Sequence, residues 1–295
     1  VTAASPCIGF CRLDAAALHC LGCARTGAEI AAWRDAPPTF LDRVWAELPA
    51  RRERLGVRLH RLAWTPGDLL AFVAGTLTPG GGTWAFGPFG GASEFRVDPG
   101  GTAELERPLR NRLVVRTPRV AARFDATDQV RVLTPAAPGE DPARGPLVLA
   151  VPRPRHASRP GLAALGPDRD AIEPAGRDAR LYDLGLPTRG AAFCLRTGDP
   201  DLIRALDDCL GMEWPDLFAG IGRRIVAASP TRVILSPFGR VEARGPIAGP
   251  GDGVPLGPIQ LAGGRDVPVG LEPPEALAAC ASYFPEGASL GGLAP

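Results

Sequence analysis

The sequence predicts an α+β protein: a small cysteine-rich module, a larger region of antiparallel strands with several helices, and a Gly/Pro-rich tail. Three observations carry this. Four of the seven cysteines stand at positions 7, 11, 20 and 23. Apolar residues recur at helical spacing behind helix-start signals between 26 and 77, and from 83 to 133 the pattern shifts to short segments between Gly- and Pro-rich turns. Beyond 245, glycine and proline crowd out periodic apolar residues, so that stretch is expected to be irregular. The chain is accordingly divided into 1–62, 63–244 and 245–295.

The elements follow in order. Thr26 and Glu29 form a T-x-x-E capping box, which predicts a short helix to about Trp33. Pro37 and Pro38 break it, and Thr39 with Asp42 is read as the start of a second helix. Phe40, Leu41, Val44, Trp45 and Leu48 share one face of that helix, and Pro49 is expected to kink or end it. Thr65-Pro66-Gly67-Asp68 opens a third helix whose apolar face is Leu69, Leu70, Phe72, Val73 and Leu77. Strands are expected at 83–86, 93–97, 103–105, 112–116, 120–124 and 129–133, arranged as a meander. A buried strand follows at 147–151, and 152–190 is read as irregular. Then come a strand at 191–196, helices at 201–210 and 216–228, and a terminal hairpin of 232–235 with 240–243 around Ser236-Pro237-Phe238-Gly239.

Composition prunes the chemistry. All 33 basic residues counted as Lys or Arg are arginine, against 32 acidic ones, for a net charge of +1. Without lysine there is no Schiff-base amine, no Walker A loop and no kinase lysine. Balanced charge does not point to nucleic acid or an anionic membrane. No apolar run approaches a membrane span, and VTAASPCIGFCR lacks the pattern of a signal peptide, so a cytoplasmic location is expected. No G-x-S-x-G, H-E-x-x-H or G-x-G-x-x-G occurs, and His156 is the one histidine of the larger region.

Cys7-x3-Cys11-x8-Cys20-x2-Cys23 is the informative motif. Two close pairs joined by a short loop are what a four-thiolate site needs, with Gly9 and Gly22 where the backbone must bend. Thiolates suit zinc or an iron–sulfur cluster, and spacing does not separate the two. The competing account packs four reduced thiols as small apolar side chains, and it fits poorly with four in so short a segment. An odd cysteine total of 7 also argues against a disulfide framework. His19 could replace a cysteine as ligand but, adjoining Cys20, is read as a neighbour of the site or a solvent-facing residue.

These residues carry a resemblance. Ser5-Pro6-Cys7-Ile8-Gly9-x-Cys11-Arg12-Leu13-Asp14, followed by Cys20-x-Gly22-Cys23-x-Arg25-Thr26-x-x-Glu29-Ile30-x-x-Trp33, resembles the DUF1289 family of small proteobacterial proteins, often described as predicted Fe–S proteins. The likeness covers about residues 5–55 and implies Cys7, Cys11, Cys20 and Cys23 as ligands. Within the motif, Arg25 either donates toward thiolate sulfurs or is a solvated helix-start residue. Trp33 is expected to pack against the second helix near Trp45. The remainder of the chain faintly resembles uncharacterised α-proteobacterial extensions.

Weaker signals remain. Arg51, Arg52, Arg54, Arg58 and Arg61 could grip phosphates but are read as a solvated helix face. Arg153, Arg155, His156 and Arg159, held extended by prolines, could take an anionic ligand or form a plain surface loop. Cys194 and Cys209 are expected in the core, and Cys280 as an incidental free thiol. The stretch from Leu181 through Arg196 to Asp199-Pro200 has a loose cadence like haem-utilisation proteins, without a motif. The reading that follows is a metal-binding protein holding one Zn2+ or one Fe–S cluster, a non-enzymatic accessory. Its larger region would bind a protein partner or small ligand; redox sensing and nucleic-acid binding are the alternatives.

Overall fold

The computed structural model describes residues 5–8, 11–14, 16, 18–86, 93–97, 99–135, 141, 144–153, 160–186, 191–245 and 271–286. Five helices, α1 (Gly27–Ala32), α2 (Pro38–Leu55), α3 (Pro66–Thr76), α4 (Pro200–Asp207) and α5 (Trp214–Ala228), accompany fourteen strands among these residues. The strands are β1 (His60–Arg61), β2 (Thr83–Phe86), β3 (Ser93–Phe95), β4 (Glu104–Leu109), β5 (Arg112–Arg116), β6 (Val120–Asp125), β7 (Arg131–Thr134), β8 (Leu147–Pro152), β9 (Ala163–Pro167), β10 (Arg180–Asp183), β11 (Ala192–Thr197), β12 (Thr231–Ser236), β13 (Gly239–Ala243) and β14 (Leu277–Phe284). The α+β class is as the sequence predicts.

The strands form two antiparallel sheets, one of order β1-β7-β8-β14-β2-β3 and one of order β4-β5-β6-β13-β12-β11-β10-β9. They face each other across the main core, where Trp84, Phe86, Leu147 and Tyr283 meet Leu113, Phe124, Leu195 and Val241. The Phe124 ring lies 5.4 Å from Phe86 and 6.1 Å from Trp84. Leu70 and Val73 of α3, Leu202 and Leu206 of α4, and Leu217 and Ile225 of α5 join the same core. The outer face of the six-stranded sheet is apolar as well: Leu133, Val148, Ala150, Leu277 and Ala279 pack there with Ile8 and Leu59 of the N-terminal segment.

Several expectations need correction. The tail is not irregular throughout. Residues 277–284 form β14, buried at every position between β8 and β2. A strand buried on both faces has no polar alternation to betray it, and the Gly/Pro-rich surroundings hide its short apolar run. A bulge between Ala279 and Ala281 leaves Cys280 without a register partner. Cys280 is therefore a fully buried core residue, its Sγ 3.3 Å from the Leu149 carbonyl oxygen, rather than an incidental thiol. The strands between 83 and 134 are not one meander, since β4, β5 and β6 lie in one sheet and β2, β3 and β7 in the other. The β12–β13 hairpin is central, with β13 paired to β6. In the segment read as irregular, β9 and β10 pair with each other, and β10 pairs with β11. α2 starts at Pro38 behind Pro37 and runs through Pro49 to the left-handed Gly56 (φ 64°), so Thr39 is not its cap. Proline needs no N–H at the first helical position. Leu41, Val44 and Leu48, buried on one face, hold the helix together across Pro49.

Part of the outer face of the eight-stranded sheet is charged and covered, beside an apolar patch of Leu181, Cys194 and Val233. Residues 168–173 cross it as a strap, with acidic residues set over its arginines. Asp168 pairs with Arg196 and Arg240, Asp170 with Arg123, and Glu173 with Arg116. Glu242 completes a quartet: its Oε1 accepts from Arg240 Nε at 2.6 Å and from the Ile172 backbone N–H at 2.8 Å. All four quartet side chains are at most 5% exposed, so removing one partner strands the others' charges away from water. Two outcomes are expected. Arg240→Ala should cost about 3–5 kcal/mol in urea unfolding, the range for breaking a buried pair. Ending the chain before residue 271 should abolish cooperative unfolding, read by near-ultraviolet circular dichroism, because β8 and β2 lose the strand between them.

Candidate metal centre

Local backbone structure brings the cysteines together. The loop between the two pairs folds back through the antiparallel bridges Leu13↔Cys20 and His19↔Thr26. Asp14 ties it, accepting backbone N–H bonds from Leu18 at 2.7 Å and His19 at 3.2 Å. Residues 20–24 form a tight turn closed by Ala24 N–H to the Cys20 carbonyl at 2.7 Å, with Ala24 in the left-handed region at φ 62°. Ala24 is fully buried against Val44 and Leu48 of α2, which supports a conformation costly for a residue with a Cβ. Gly9 lies outside the described residues.

The thiols are neighbours. Cys11 lies within hydrogen-bonding reach of Cys7 and Cys20, and Cys20 of Cys23. The Cys23 thiol, then the backbone N–H groups of Gly22, Cys23 and Arg12, hold Cys20 down to about 5 against the effect of burial. Cys23 is pushed up by its hydrogen bond with Cys20 and by burial, and Cys11 by burial and by Cys7 and Cys20. Sharing protons in this way is what like charges at close range require. Among the described residues, no three His, Cys, Asp or Glu side chains already stand in an arrangement that would enclose an ion.

Arginines surround the cluster. Arg25 is 3% exposed, its Nε donates to Cys23 Sγ at 3.4 Å, and its guanidinium lies 4.3 Å over the Trp33 ring. His19 lies with Nδ1 4.0 Å from Asp14 Oδ2. Arg51 makes a two-pronged contact with Glu29 at 2.7 and 3.0 Å, which fixes α1 on α2. Arg61 donates to the carbonyl oxygens of Ser5 at 2.8 Å and Cys7 at 3.2 Å. Arg52 is buried. The arginine run is thus not a solvated face: Arg54 and Arg58 are exposed, while Arg51, Arg52 and Arg61 turn inward. Helical periodicity could have separated Arg51 and Arg52 from Arg54 and set Arg51 over Glu47, but only the fold brings Glu29 to Arg51. Trp33 and Trp45 pack beside Ala24, Val44 and Leu48. Of the second basic cluster, Arg153 is half-buried, with its backbone N–H bonded to Ala276, and Arg155, His156 and Arg159 lie outside the described residues.

Burial, and then the charge of Arg52, push His60 down to about 4 from an ordinary 6.5. Folded His60 therefore stays neutral while an unfolded chain takes up a proton, so its contribution is complete above pH 6.5 and lost as pH falls toward 4. Urea unfolding between pH 7 and pH 4 should show this loss in the wild type and a shallower one in His60→Gln. Equal slopes would refute it.

Comparison with known proteins gives two family matches. A family of unknown function (DUF6925) matches residues 68–287, and a protein of unknown function family (DUF1289) matches residues 5–52. No curated protein and no solved structure matches. Since the first match spans most of the sequence, the chain belongs to the DUF6925 family and carries a DUF1289 segment ahead of that region.

Proposed function

We propose that the N-terminal segment is a four-thiolate metal module, holding one Zn2+ or one Fe–S cluster through Cys7, Cys11, Cys20 and Cys23, in a protein that acts as an accessory rather than an enzyme. The observation that carries this is the donor set: four neighbouring thiols, with backbone N–H groups aimed at Cys20 and a buried guanidinium on Cys23. N–H donors favour thiolate over thiol, and thiolate is the form that binds metal. Buried thiols packing only as apolar side chains would have no use for such donors. Bound zinc would supply folding free energy, and a bound cluster could also carry an electron. The chain's own residues provide the thiolates, the N–H donors and the arginines that offset their charge.

The inward arginines bear on the other readings. With Arg51, Arg52 and Arg61 engaged inside the fold, the run that suggested phosphate binding is reduced to Arg54 and Arg58, which favours a protein or small-molecule partner over nucleic acid. No helix among the described residues is long and apolar enough to cross a membrane.

Purification under anaerobic conditions, followed by metal analysis and an absorbance scan, tests the proposal. About one zinc per chain without visible absorbance identifies zinc; iron with a band at about 400 nm identifies a cluster. Cys20→Ser and Cys23→Ser should each lose the metal. A wild-type chain with neither metal and four freely titrating thiols would sink the reading.

A further inference from the structure

Arg52 occupies an unusual place. It lies in the last turn of α2 and is 7% exposed, and its Nε and Nη2 have no hydrogen-bond partner among the described residues. The Trp45 ring is 5.8 Å from its guanidinium carbon, a contact that attracts a cation without receiving its N–H groups. His60 brings no negative charge to it, and the charge of Arg52 disfavours protonation of His60. Leu48, one turn before Arg52 on α2 and buried like it, packs on Ala24, the residue after Cys23; Cys23, 1% exposed, is the group there whose charge would favour Arg52. The other inward arginines of the segment are better served. Arg51 has Glu29, Arg61 has two carbonyl oxygens, and Arg25 has the Cys23 sulfur and the Trp33 face.

A buried guanidinium with unmet donors is strongly unfavourable unless negative charge is brought up to it. As a thiol, Cys23 brings none. Four thiolates around a divalent ion leave a net dianion in the same place. Resting on the four-thiolate reading above, we infer that Arg52 is, beside Arg25, a counter-charge of the Cys7, Cys11, Cys20 and Cys23 centre. It is a positioning residue that strengthens metal binding by neutralising the sulfur set through Cys23 and does not itself touch the metal.

A counter-charge has a signature that a packing residue lacks. Without metal, Arg52 is an uncompensated buried cation, and replacing it with a neutral side chain of similar length relieves the chain. With metal, the same replacement forfeits the counter-charge. A residue that only fills space would move both forms in the same direction.

The test uses the full chain as wild type, Arg52→Met, Arg52→Gln and Arg52→Lys, with Zn2+ as the probe. Zinc affinity is read by competition with a chromogenic chelator, and thermal unfolding is followed for the zinc-free and loaded forms. Both neutral variants should bind zinc about tenfold or more weakly, as for other residues that support metal ligands. Arg52→Lys, which keeps the charge, should stay closer to wild type than either. The zinc-free neutral variants should melt at or above wild type. If Arg52→Met does not fold, Arg52→Gln against Arg52→Lys makes the same comparison. Unchanged affinity in the neutral variants overturns the inference, as does equal loss in Arg52→Lys. Equal destabilisation of both forms, or failure of every variant to fold, makes Arg52 a packing residue and also overturns it. If the wild type purifies with iron, the same variants are read by reduction potential, which should become more negative when the charge is removed. A wild-type chain that binds neither metal overturns the underlying metal reading, a result visible before any variant is made.

Discussion

Strand β14 enters the six-stranded sheet between β8 and β2, and the two halves of that sheet are joined through its hydrogen bonds. Both of its faces are buried. Tyr283 and Ala281 look into the core between the sheets, while Leu277, Ala279 and Phe284 look outward to Ile8 and Leu59. The bulge at Cys280 allows this, because one extra residue shifts which side chains face each way along the strand. Ile8 directly follows the first cysteine of the thiol cluster, so the platform under that cluster depends on a strand from the opposite end of the sequence.

Charge is handled by arginine throughout, and the fold exploits what that side chain offers. A planar guanidinium can serve two carboxylates at once, as Arg240 does for Asp168 and Glu242, and Arg196 for the same two residues. The strap of 168–173 seals this row against the sheet, with Ile172 packed on Val114 and Ala121. In the N-terminal segment, Arg51 and Arg61 hold helix and chain in place around the cysteines, while Arg25 turns to sulfur. These arrangements make the arginine content a structural material, whatever its origin in composition.

The local signals are legible. Thr26 with Glu29 and Thr65 with Asp68 form the capping boxes their spacing announces, because a cap is decided within four residues. Strands such as β5 and β6 are readable for a related reason: short apolar runs stand between turn signals that lie close by in the chain. The edge strand β9 is not, since most of its side chains are exposed, and β14 is not, since all of its side chains are buried; neither alternates. Arg51's pairing with Glu47, four residues earlier on α2, is open to a sequence reading, but its pairing with Glu29 and the place of Arg52 beside Cys23 are not, because those groups come from outside the helix.

The sequence by itself determined the α+β class, the capped helix starts, the clustering of four thiols in one short segment and the absence of lysine chemistry. Tertiary structure alone decided which sheet each strand joins, where the arginines point and what the segment of thiols rests upon. The physical reason is range. Caps, turns and periodic faces are settled by neighbours along the chain. Strand order, buried charge pairs and the counter-charge beside Cys23 depend on residues that meet only when distant segments are folded together.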